Sequence, residues 1–231
     1  MLIDMHAHTS GISPCCLIDY KEVINTAKEK GINGIVLTNH YDKFYIGGMN
    51  LSQFAEKYID EYRITAEYGK DKNFKVFWGI EVTMELYPAV HMLIYGVNFD
   101  FLRKNPGLYD MTQKELYELV KSENGILIQA HPYRNGATVL DINYLDGIEI
   151  NCHPKYGNSY SEKLKKIAEQ NNLILTCGGD YHADTYRPIC GMYIPENICY
   201  YAELSEYIKS HKAKLCIQEP GSDEITYYNI K

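Results

Sequence analysis

The sequence predicts an α/β protein whose strands close into a barrel, and three observations support this fold class. Short apolar runs alternate with stretches of helical spacing, which is typical of βα units around a parallel sheet. About seven such units follow one another, and that number favours a closed barrel. No repeat, low-complexity tract or linker divides the chain, so we expect a single domain over residues 1–231.

The composition argues against several classes of function. The chain has 231 residues, 45% of them hydrophobic, and a formal net charge of −7. An acidic surface does not attract a long polyanion, so we expect no binding to long nucleic acid. No secretion signal or membrane-spanning run is visible, so we expect no membrane association and a cytoplasmic location. The seven cysteines have no CxxC spacing and are best explained as free thiols.

The predicted strands are short apolar runs bounded by glycine or polar residues. In chain order they are Met1 to Ile3, Gly34 to Thr38, Phe74 to Ile80, Val90 to Val97, Gly125 to Ala130, Gly147 to Ile150, Leu173 to Thr176 and Lys214 to Gln218.

The predicted helices have apolar residues at helical spacing and polar caps. They are Leu17 to Lys30, Ser52 to Gly69, Thr112 to Glu123, Ser161 to Gln170 and Tyr201 to Ser210. Ser52 and Thr112 are the expected N-caps, and Glu115 completes a capping box with Thr112. The segment Leu102 to Tyr109 is predicted to be a loop.

Residues that can bind metal follow five of the predicted strands. They are His6, His8, His40, Glu81, His131, Asp180 and His182. Each one alone has an ordinary explanation, such as a polar strand end or a helix cap. Because the carboxyl ends of parallel strands meet at one rim of a barrel, their recurrence favours a shared metal site. His6 and His8 are two residues apart on an extended backbone, so one cation can bind both imidazoles.

The ordered set of motifs resembles the PHP (polymerase and histidinol phosphatase) family. The motifs are Asp4-Met-His-Ala-His8, Thr38-Asn-His40, Gly79-Ile-Glu81, His91-Met-Leu93, Ala130-His-Pro132 and Gly178-Gly-Asp-Tyr-His182. The resemblance implies a distorted (β/α)7 TIM-like barrel with two or three divalent metal ions (zinc, manganese or iron) that hydrolyses phosphoesters. It also implies the ligands of each ion: His6, His8, Glu81 and Asp180 for one; Glu81, His91 and His131 for a second; and His40 and His182 for a third.

The chain departs from the family pattern at two positions. Asn39 replaces a common aspartate beside His40, which weakens an expected hydrogen-bonding carboxylate without removing the ligand. The loop Gly11 to Cys16 lacks the histidine that many members have, so Cys15 or Cys16 is either a substitute thiolate ligand or an ordinary loop thiol. His91 raises a separate question, because it begins its predicted strand and should lie at the opposite rim. It is either a ligand on an irregular strand or a buried core histidine.

The remaining candidates concern the reaction itself. Asp180 can transfer the proton of a metal-bound water, and His182 or His153 can protonate the leaving group. Arg134 and Arg187 follow ligand motifs and are candidate phosphate-binding residues, although both have an ordinary surface explanation. If Glu149 points into the barrel, we expect its carboxylate to accept a hydrogen bond from a ligand imidazole.

These observations predict a metal-dependent phosphoesterase acting on the phosphomonoester of a small metabolite, with a histidinol-phosphate-like compound as one candidate. A metal-activated hydroxide would be the nucleophile. The alternatives are a phosphodiesterase or short-oligonucleotide hydrolase, an amidohydrolase, and a noncatalytic metal-binding module. The sequence leaves the oligomeric state open.

Overall fold

The computed structural model describes residues 1–87, 89–153, 155–156, 160–183, 188–218 and 222–229. Within them the chain forms one large sheet, and its strands are β1 (Leu2–Ala7), β2 (Gly34–Leu37), β3 (His40–Tyr41), β4 (Lys75–Thr83), β5 (His91–Tyr95), β6 (Ile126–Gln129), β7 (Gly147–Asn151), β8 (Ile174–Gly178), β9 (Cys190–Tyr193), β10 (Lys214–Gln218) and β11 (Ile225–Asn229). The helices are α1 (Tyr20–Glu29), α2 (Leu51–Asp71), α3 (Phe99–Lys104), α4 (Gln113–Ser122), α5 (Ser161–Asn171) and α6 (Tyr201–Lys209). None of these helices is both long enough and apolar enough to cross a membrane.

The sheet is mixed, so it does not confirm the distorted (β/α)7 barrel that the family resemblance implies. Its order is β11-β10-β9-β1-β2-β4-β5-β6-β7-β8, with β3 beside β4. The pairs β1–β2, β2–β4, β6–β7 and β7–β8 are parallel, as alternating strands and helices predict. However, β5 is antiparallel to both of its neighbours, and β9, β10 and β11 add an antiparallel edge beside β1. The α/β class is therefore confirmed, whereas the repeating βα plan holds for only part of the sheet.

The sheet curls so that β8 returns to β1. The backbone amide of Asp180 donates to the carbonyl of His6 at 2.8 Å, and Ala7 forms a parallel bridge with Tyr181. Gly178 permits this approach, since a Cβ at this position would lie 2.4 Å from the Cβ of His6. The carboxyl ends of β1 and β8 therefore lie side by side, and their polar residues share one rim.

The direction of β5 follows from the chain that precedes it. Residues 84–90 join β4 to β5, and a parallel crossover needs a dozen or more residues. This connection is too short for a crossover, so β5 pairs with β4 antiparallel and Thr83 lies opposite His91. The first residue of β5 therefore lies at the same rim as the last residues of the parallel strands.

The helix ends differ from the sequence predictions in three places. Helix α1 begins at Tyr20, where the carboxylate of Asp19 caps the first turn. Helix α2 begins at Leu51, and its cap is Asn50 rather than Ser52. Helix α3, capped by Asn98, includes part of the segment predicted to be a loop. The predicted capping box of α4 is confirmed, with Thr112 as the cap and Glu115 as its partner.

A continuous apolar core holds the rim in place. Helix α2 packs Phe54, Tyr58 and Ile59 against the sheet, where Trp78 of β4 is fully buried. Burying a large apolar side chain contributes roughly 1.5–3 kcal/mol, and this packing is what fixes the strand ends. Polar groups at those ends are thereby excluded from water, so their partners must come from the protein or from a bound ion.

Candidate metal centre

The eight residues with the predicted ligand roles come together at this rim. They are His6 of β1, His8 directly after β1, His40 of β3, Glu81 of β4, His91 of β5, His131 after β6, and Asp180 and His182 after β8. A cavity of about 340 Å³ opens beside them, lined among others by His40, His91, His131, Asp180 and His182. Candidate ligands that are up to 176 residues apart in sequence thus share one site.

The His-x-His pair of β1 has the geometry that its spacing predicts. The two rings lie on the same side of the strand, with their centroids 5.0 Å apart. His6 Nε2 lies 3.3 Å from Glu81 Oε1, and His8 Nε2 lies 2.9 Å from Asp180 Oδ1. Imidazole nitrogens and carboxylate oxygens thus face a common space, as they do around a bound cation.

Glu81 lies at the centre of the group. Its Oε2 is 2.6 Å from His40 Nδ1, while its Oε1 is 3.0 Å from His91 Nδ1 and 3.1 Å from His131 Nε2. Its side chain is fully buried. One carboxylate therefore contacts several imidazoles on different strands, which is the arrangement expected of a ligand that bridges two ions.

His91 lies in the site because β5 is antiparallel. The sequence left open whether this residue is a ligand on an irregular strand or a core histidine. Its side chain is 25% exposed and lines the cavity, so it is not a buried core residue. The reversed strand explains why a residue at the start of β5 reaches the same rim.

Several candidate ligand atoms of the centre have no hydrogen-bond partner although they are fully buried. Within the described part of the chain, they include His6 Nε2, His8 Nε2, His40 Nδ1, Glu81 Oε2 and Asp180 Oδ1. The imidazole nitrogens lie 2.6–3.5 Å from the carboxylate oxygens. Buried polar atoms in proteins almost always have partners, so these atoms fit a site for divalent cations.

The contact between His8 and Asp180 gives the clearest case. Asn39 Oδ1 accepts from the backbone amide of Thr9 at 2.8 Å, so this atom is an acceptor. The hydroxyl of Ser13 donates to the same oxygen at 2.9 Å and therefore has no proton left for His8. His8 Nδ1, 3.3 Å from that hydroxyl, must carry its ring proton there.

It follows that His8 Nε2 presents a lone pair to the carboxylate of Asp180. Burial and the neighbouring His182 and His40 hold the pKa of His8 well below its ordinary value, so the ring is neutral. Two acceptors 2.9 Å apart repel each other unless a cation lies between them. The donor set thus fits a metal ion at this position.

Glu149 accepts a hydrogen bond from a candidate ligand imidazole, as the sequence predicted. Its Oε1 accepts from His6 Nδ1 at 2.9 Å, and its Oε2 accepts from the backbone amide of His131 at 3.1 Å. A carboxylate behind a ligand imidazole fixes the ring and leaves Nε2 available for a cation. Glu149 therefore orients ligands that come from two different strands.

Protonated histidines supply positive charge beside the buried carboxylates of the centre. Burial acts to lower the pKa of His6, but Glu149 and Glu81 outweigh it and hold this pKa well above its ordinary value. Burial likewise opposes ionisation of Glu81, but His40 and His6 hold its pKa well below the usual range. Glu81 is therefore ionised and requires positive charge beside it.

Arg134 reaches the centre from the loop after β6. Its guanidinium donates to Asp180 Oδ2 and Asn151 Oδ1 and lies 4.5 Å from the ring centroid of Tyr156. His131, Tyr133 and Asn135 of this loop have positive φ angles (30°, 72° and 50°), a strained conformation often found at functional sites. The strained turn directs both a candidate ligand and an arginine toward the cavity. Arg187 lies outside the described residues.

His153 lines the cavity but is poorly suited to donate a proton. Burial lowers its pKa to about 4, so at neutral pH the ring is uncharged. Its Nδ1 accepts from the amide of Lys155 at 3.1 Å, which places the ring proton on Nε2. A neutral imidazole is a hydrogen-bond donor rather than an acid.

Two polar residues of the site had no assigned role in the sequence. Ser13 links His8 to Asn39 and also accepts from the backbone amide of His40 at 3.0 Å. Lys155 lines the cavity beside Arg134 and adds positive charge at its mouth. Lys155 follows the end of β7 by four residues, a signal comparable to that of Arg134, whereas nothing in the loop spacing indicates the role of Ser13.

Comparisons with known proteins agree with this architecture. The sequence profile of the PHP domain matches residues 4–219. The fold is similar to that of a two-domain protein containing a predicted PHP-like metal-dependent phosphoesterase from Bacteroides vulgatus (TM-score 0.68, 14% identity, covering 93% of this chain and 64% of that chain). This chain therefore spans less than two thirds of the length of that protein. No curated protein gives a significant match.

Two further solved structures share the fold. One is a putative metal-dependent phosphoesterase from Bifidobacterium adolescentis, with a TM-score of 0.56, 17% identity, and coverage of 88% of this chain and 94% of that chain. The other is an amidohydrolase from Chromobacterium violaceum with bound sulfate and no metal, with a TM-score of 0.58, 13% identity, and coverage of 96% and 99%. At these identities the likeness concerns the fold alone.

The fold and the donor set define an α/β domain with a candidate metal centre at one rim of its sheet. The match over residues 4–219 shows that the chain belongs to the PHP family. The resemblance drawn from the ordered motifs is thereby confirmed.

Proposed function

We propose that the protein hydrolyses the phosphomonoester of a small metabolite at this centre, with two or three divalent cations as cofactors. The observation that carries the proposal is the buried contact between His8 Nε2 and Asp180 Oδ1, two acceptors that need a cation between them. Zinc, manganese or iron suits these nitrogen and carboxylate ligands. When bound, such ions lower the pKa of a shared water to about 7 and neutralise charge on the phosphoryl group.

The candidate ligands form three overlapping groups, each of which shares at least two residues with one of the implied sites. His6, His8 and Glu81 form one group, His40, Glu81 and His91 form the second, and His8, His40 and His182 form the third. Within each group the donor atoms lie within 4.8 Å of one another. Asp180 would join the first group through His8, and His131 would join the second through Glu81.

The chain's own residues would bind the phosphate and move the proton. Arg134 has five N–H donors, and only some of them are used by Asp180 and Asn151. The others are available to phosphate oxygens in the cavity, where Lys155 adds a second positive charge. Asp180 would accept the proton of the attacking water.

The size and charge of the site favour a small substrate. The cavity of about 340 Å³ is in the lower part of the range for small-molecule sites. The net charge of −7 disfavours long nucleic acid as a substrate. The seven cysteines are free thiols, which is consistent with a reducing cytoplasm as the place of action.

A second cavity supports the phosphodiesterase alternative. It has a volume of about 250 Å³, adjoins the first at His131, Arg134 and Tyr156, and is also lined by Tyr133 and Tyr160. A diester carries two alcohol groups, and two cavities on either side of Arg134 suit such a substrate. A histidinol-phosphate-like monoester would use only one of them.

Hydrolysis of model substrates distinguishes these activities. The metal-free protein would be reconstituted with zinc, manganese or iron and assayed with p-nitrophenyl phosphate and bis(p-nitrophenyl) phosphate, followed by a panel of phosphorylated metabolites. Faster turnover of the monoester is expected. Faster turnover of the diester would support the alternative, and no turnover with any metal would favour a noncatalytic metal-binding module.

A further inference from the structure

The loop between β1 and α1 brings a thiol to the outer side of the metal centre. Cys15 lines the same cavity as the imidazoles of His40 and His182. Its thiol also interacts electrostatically with both rings. The adjacent Cys16 is buried, and its thiol donates to the carbonyl of Ile18. Of the two cysteines in this loop, only Cys15 faces the candidate ligands.

The position of Cys15 is fixed by a tight turn. The backbone amide of Cys16 donates to the carbonyl of Ser13 at 2.8 Å, so the turn has Pro14 at its second position, where proline is favoured. The amide of Leu17 then donates to the carbonyl of His182 at 2.8 Å. Because Ser13 contacts His8 and His40, and Leu17 contacts His182, the turn is attached to the centre on both sides of Cys15.

The two imidazoles beside Cys15 have the separation of ligands on one ion. His40 Nε2 and His182 Nε2 are 3.4 Å apart. Zinc–nitrogen bonds of about 2.0–2.1 Å in tetrahedral geometry place two nitrogen ligands roughly 3.3–3.4 Å apart. His182 Nδ1 donates to the carbonyl of Asp180 at 2.8 Å, so its Nε2 is left to accept. These two rings leave room for further ligands on an ion placed between them.

His8 adds a third imidazole to this position. A ring nitrogen of His8 lies within 4.8 Å of ring nitrogens of His40 and His182, so the three rings can surround one ion. Cys15 lies on the more open side of the group, where a tetrahedral ion would otherwise bind water.

We propose that Cys15 is a thiolate ligand of the outer metal position, together with His40 and His182, and that it makes this position selective for thiophilic cations such as zinc over manganese. The thiol proton passes to solvent when the metal–sulfur bond forms, so charge and atoms balance. Soft sulfur ligands favour zinc, whereas manganese prefers oxygen ligands. The inference rests on the metal centre of the proposed function but not on the identity of its substrate.

Cobalt(II) substitution tests the metal–sulfur bond directly. Titration of the metal-free, full-length protein with cobalt(II) should give a thiolate-to-cobalt charge-transfer band in the near ultraviolet. The band should be lost in Cys15→Ser and kept in Cys199→Ser, since Cys199 is an exposed cysteine at the start of α6. Cys15→His should keep the wild-type cobalt stoichiometry without the band, because histidine restores a ligand but not sulfur.

A second measurement needs no variant. Zinc should protect Cys15, but not Cys199, from alkylation by iodoacetamide, as read by peptide mass spectrometry. Absence of the band in the wild type, its persistence in Cys15→Ser, or equal alkylation with and without zinc would overturn the proposal. If the band behaves as expected but no phosphoester is hydrolysed, the proposed function fails and the thiolate ligand stands.

Discussion

The candidate ligands form two sets that differ in how the protein holds them. The inner set, His6, His8 and Glu81, has fully buried side chains. The outer set is nearer to solvent, with side-chain exposures of 9% for His40, 25% for His91 and 16% for His182. Burial alone does not explain the difference, because the partners behind the rings differ as well.

The inner imidazoles are oriented by residues that are not ligands themselves. Glu149 holds His6 Nδ1, and Ser13 holds His8 Nδ1, so both Nε2 atoms are directed before any ion binds. In the outer set, His91 Nδ1 and His40 Nδ1 instead contact Glu81, another candidate ligand. The inner position is therefore preorganised, whereas the outer positions depend on the inner one and on the ions themselves.

The largest expected effect comes from Glu81, which contacts histidines of both sets. Glu81→Ala removes contacts to five histidines, so we expect loss of all bound metal and a fall in activity of more than about 100-fold, since even partners behind a ligand are worth about 10–100-fold. Elemental analysis and phosphatase assays measure the two losses. Glu67→Ala, on the exposed face of α2, is the matched control. A fully metallated, active Glu81→Ala protein would refute the central role of this carboxylate.

The next effect tests the preorganisation of the inner set. Glu149→Gln keeps the shape of the side chain but weakens the acceptor for His6 Nδ1 and presents an amide group to other donors. We expect metal affinity to fall about 10–100-fold, measured by competition with a chelator. The exposed Glu162→Gln on α5 should leave affinity unchanged. Wild-type affinity in a folded Glu149→Gln protein would show that the inner rings are not held from behind.

Much of the site could be predicted because it follows simple backbone geometry. His6 and His8 lie on the same side of a strand, and Glu81 and His131 lie at or after strand ends that meet at one rim. The hydrogen bond of Glu149 to an imidazole was also predictable, because a buried carboxylate in a strand needs a partner. Ser13 could not be predicted, since its role depends on the path of an irregular loop.

The position of His91 in the outer set differs from the one that a regular βα repeat predicts. The apolar run from Val90 shows that a strand is present but not its direction, and a regular βα repeat gave His91 the wrong rim. The length of residues 84–90 was the available signal, because it excludes a parallel crossover. The antiparallel strands β9 to β11 had no comparable signal, since strand order depends on contacts between distant parts of the chain.

A substitution in the outer set should have a more limited effect. His91→Ala removes one contact of Glu81 and leaves both inner imidazoles with their supports. We expect the loss of one metal equivalent, with the tightest-bound metal retained, as measured by elemental analysis after dialysis against a weak chelator. If His91→Ala released all metal, the two sets would not be distinct.

Another prediction concerns the proton that His40 holds in the metal-free protein and releases when a metal ion binds. Burial acts to lower the pKa of His40, but Glu81 and Cys15 raise it to about 10, so this ring is protonated at neutral pH in the metal-free protein. Metal binding requires the neutral ring and therefore releases protons. We expect affinity for zinc to rise about tenfold per pH unit for each proton released near neutral pH. Calorimetry in buffers of different ionisation enthalpy counts these protons.

The stability of the metal-free fold should change with pH in the opposite direction. Because the folded-state pKa of His40 is raised, its pairing with Glu81 stabilises the fold in full below about pH 6.5, and the contribution is lost as the pH rises through about 10. Chelation should therefore lower the melting temperature more at about pH 9 than at about pH 6. Glu81→Ala removes the carboxylate that holds the proton, so its metal-free form should lose much of this pH dependence. Equal pH dependence of the melting temperature in the two proteins would show that His40 does not hold its proton through Glu81. The outer imidazoles would then be neutral in the metal-free protein and could bind an ion without Glu81.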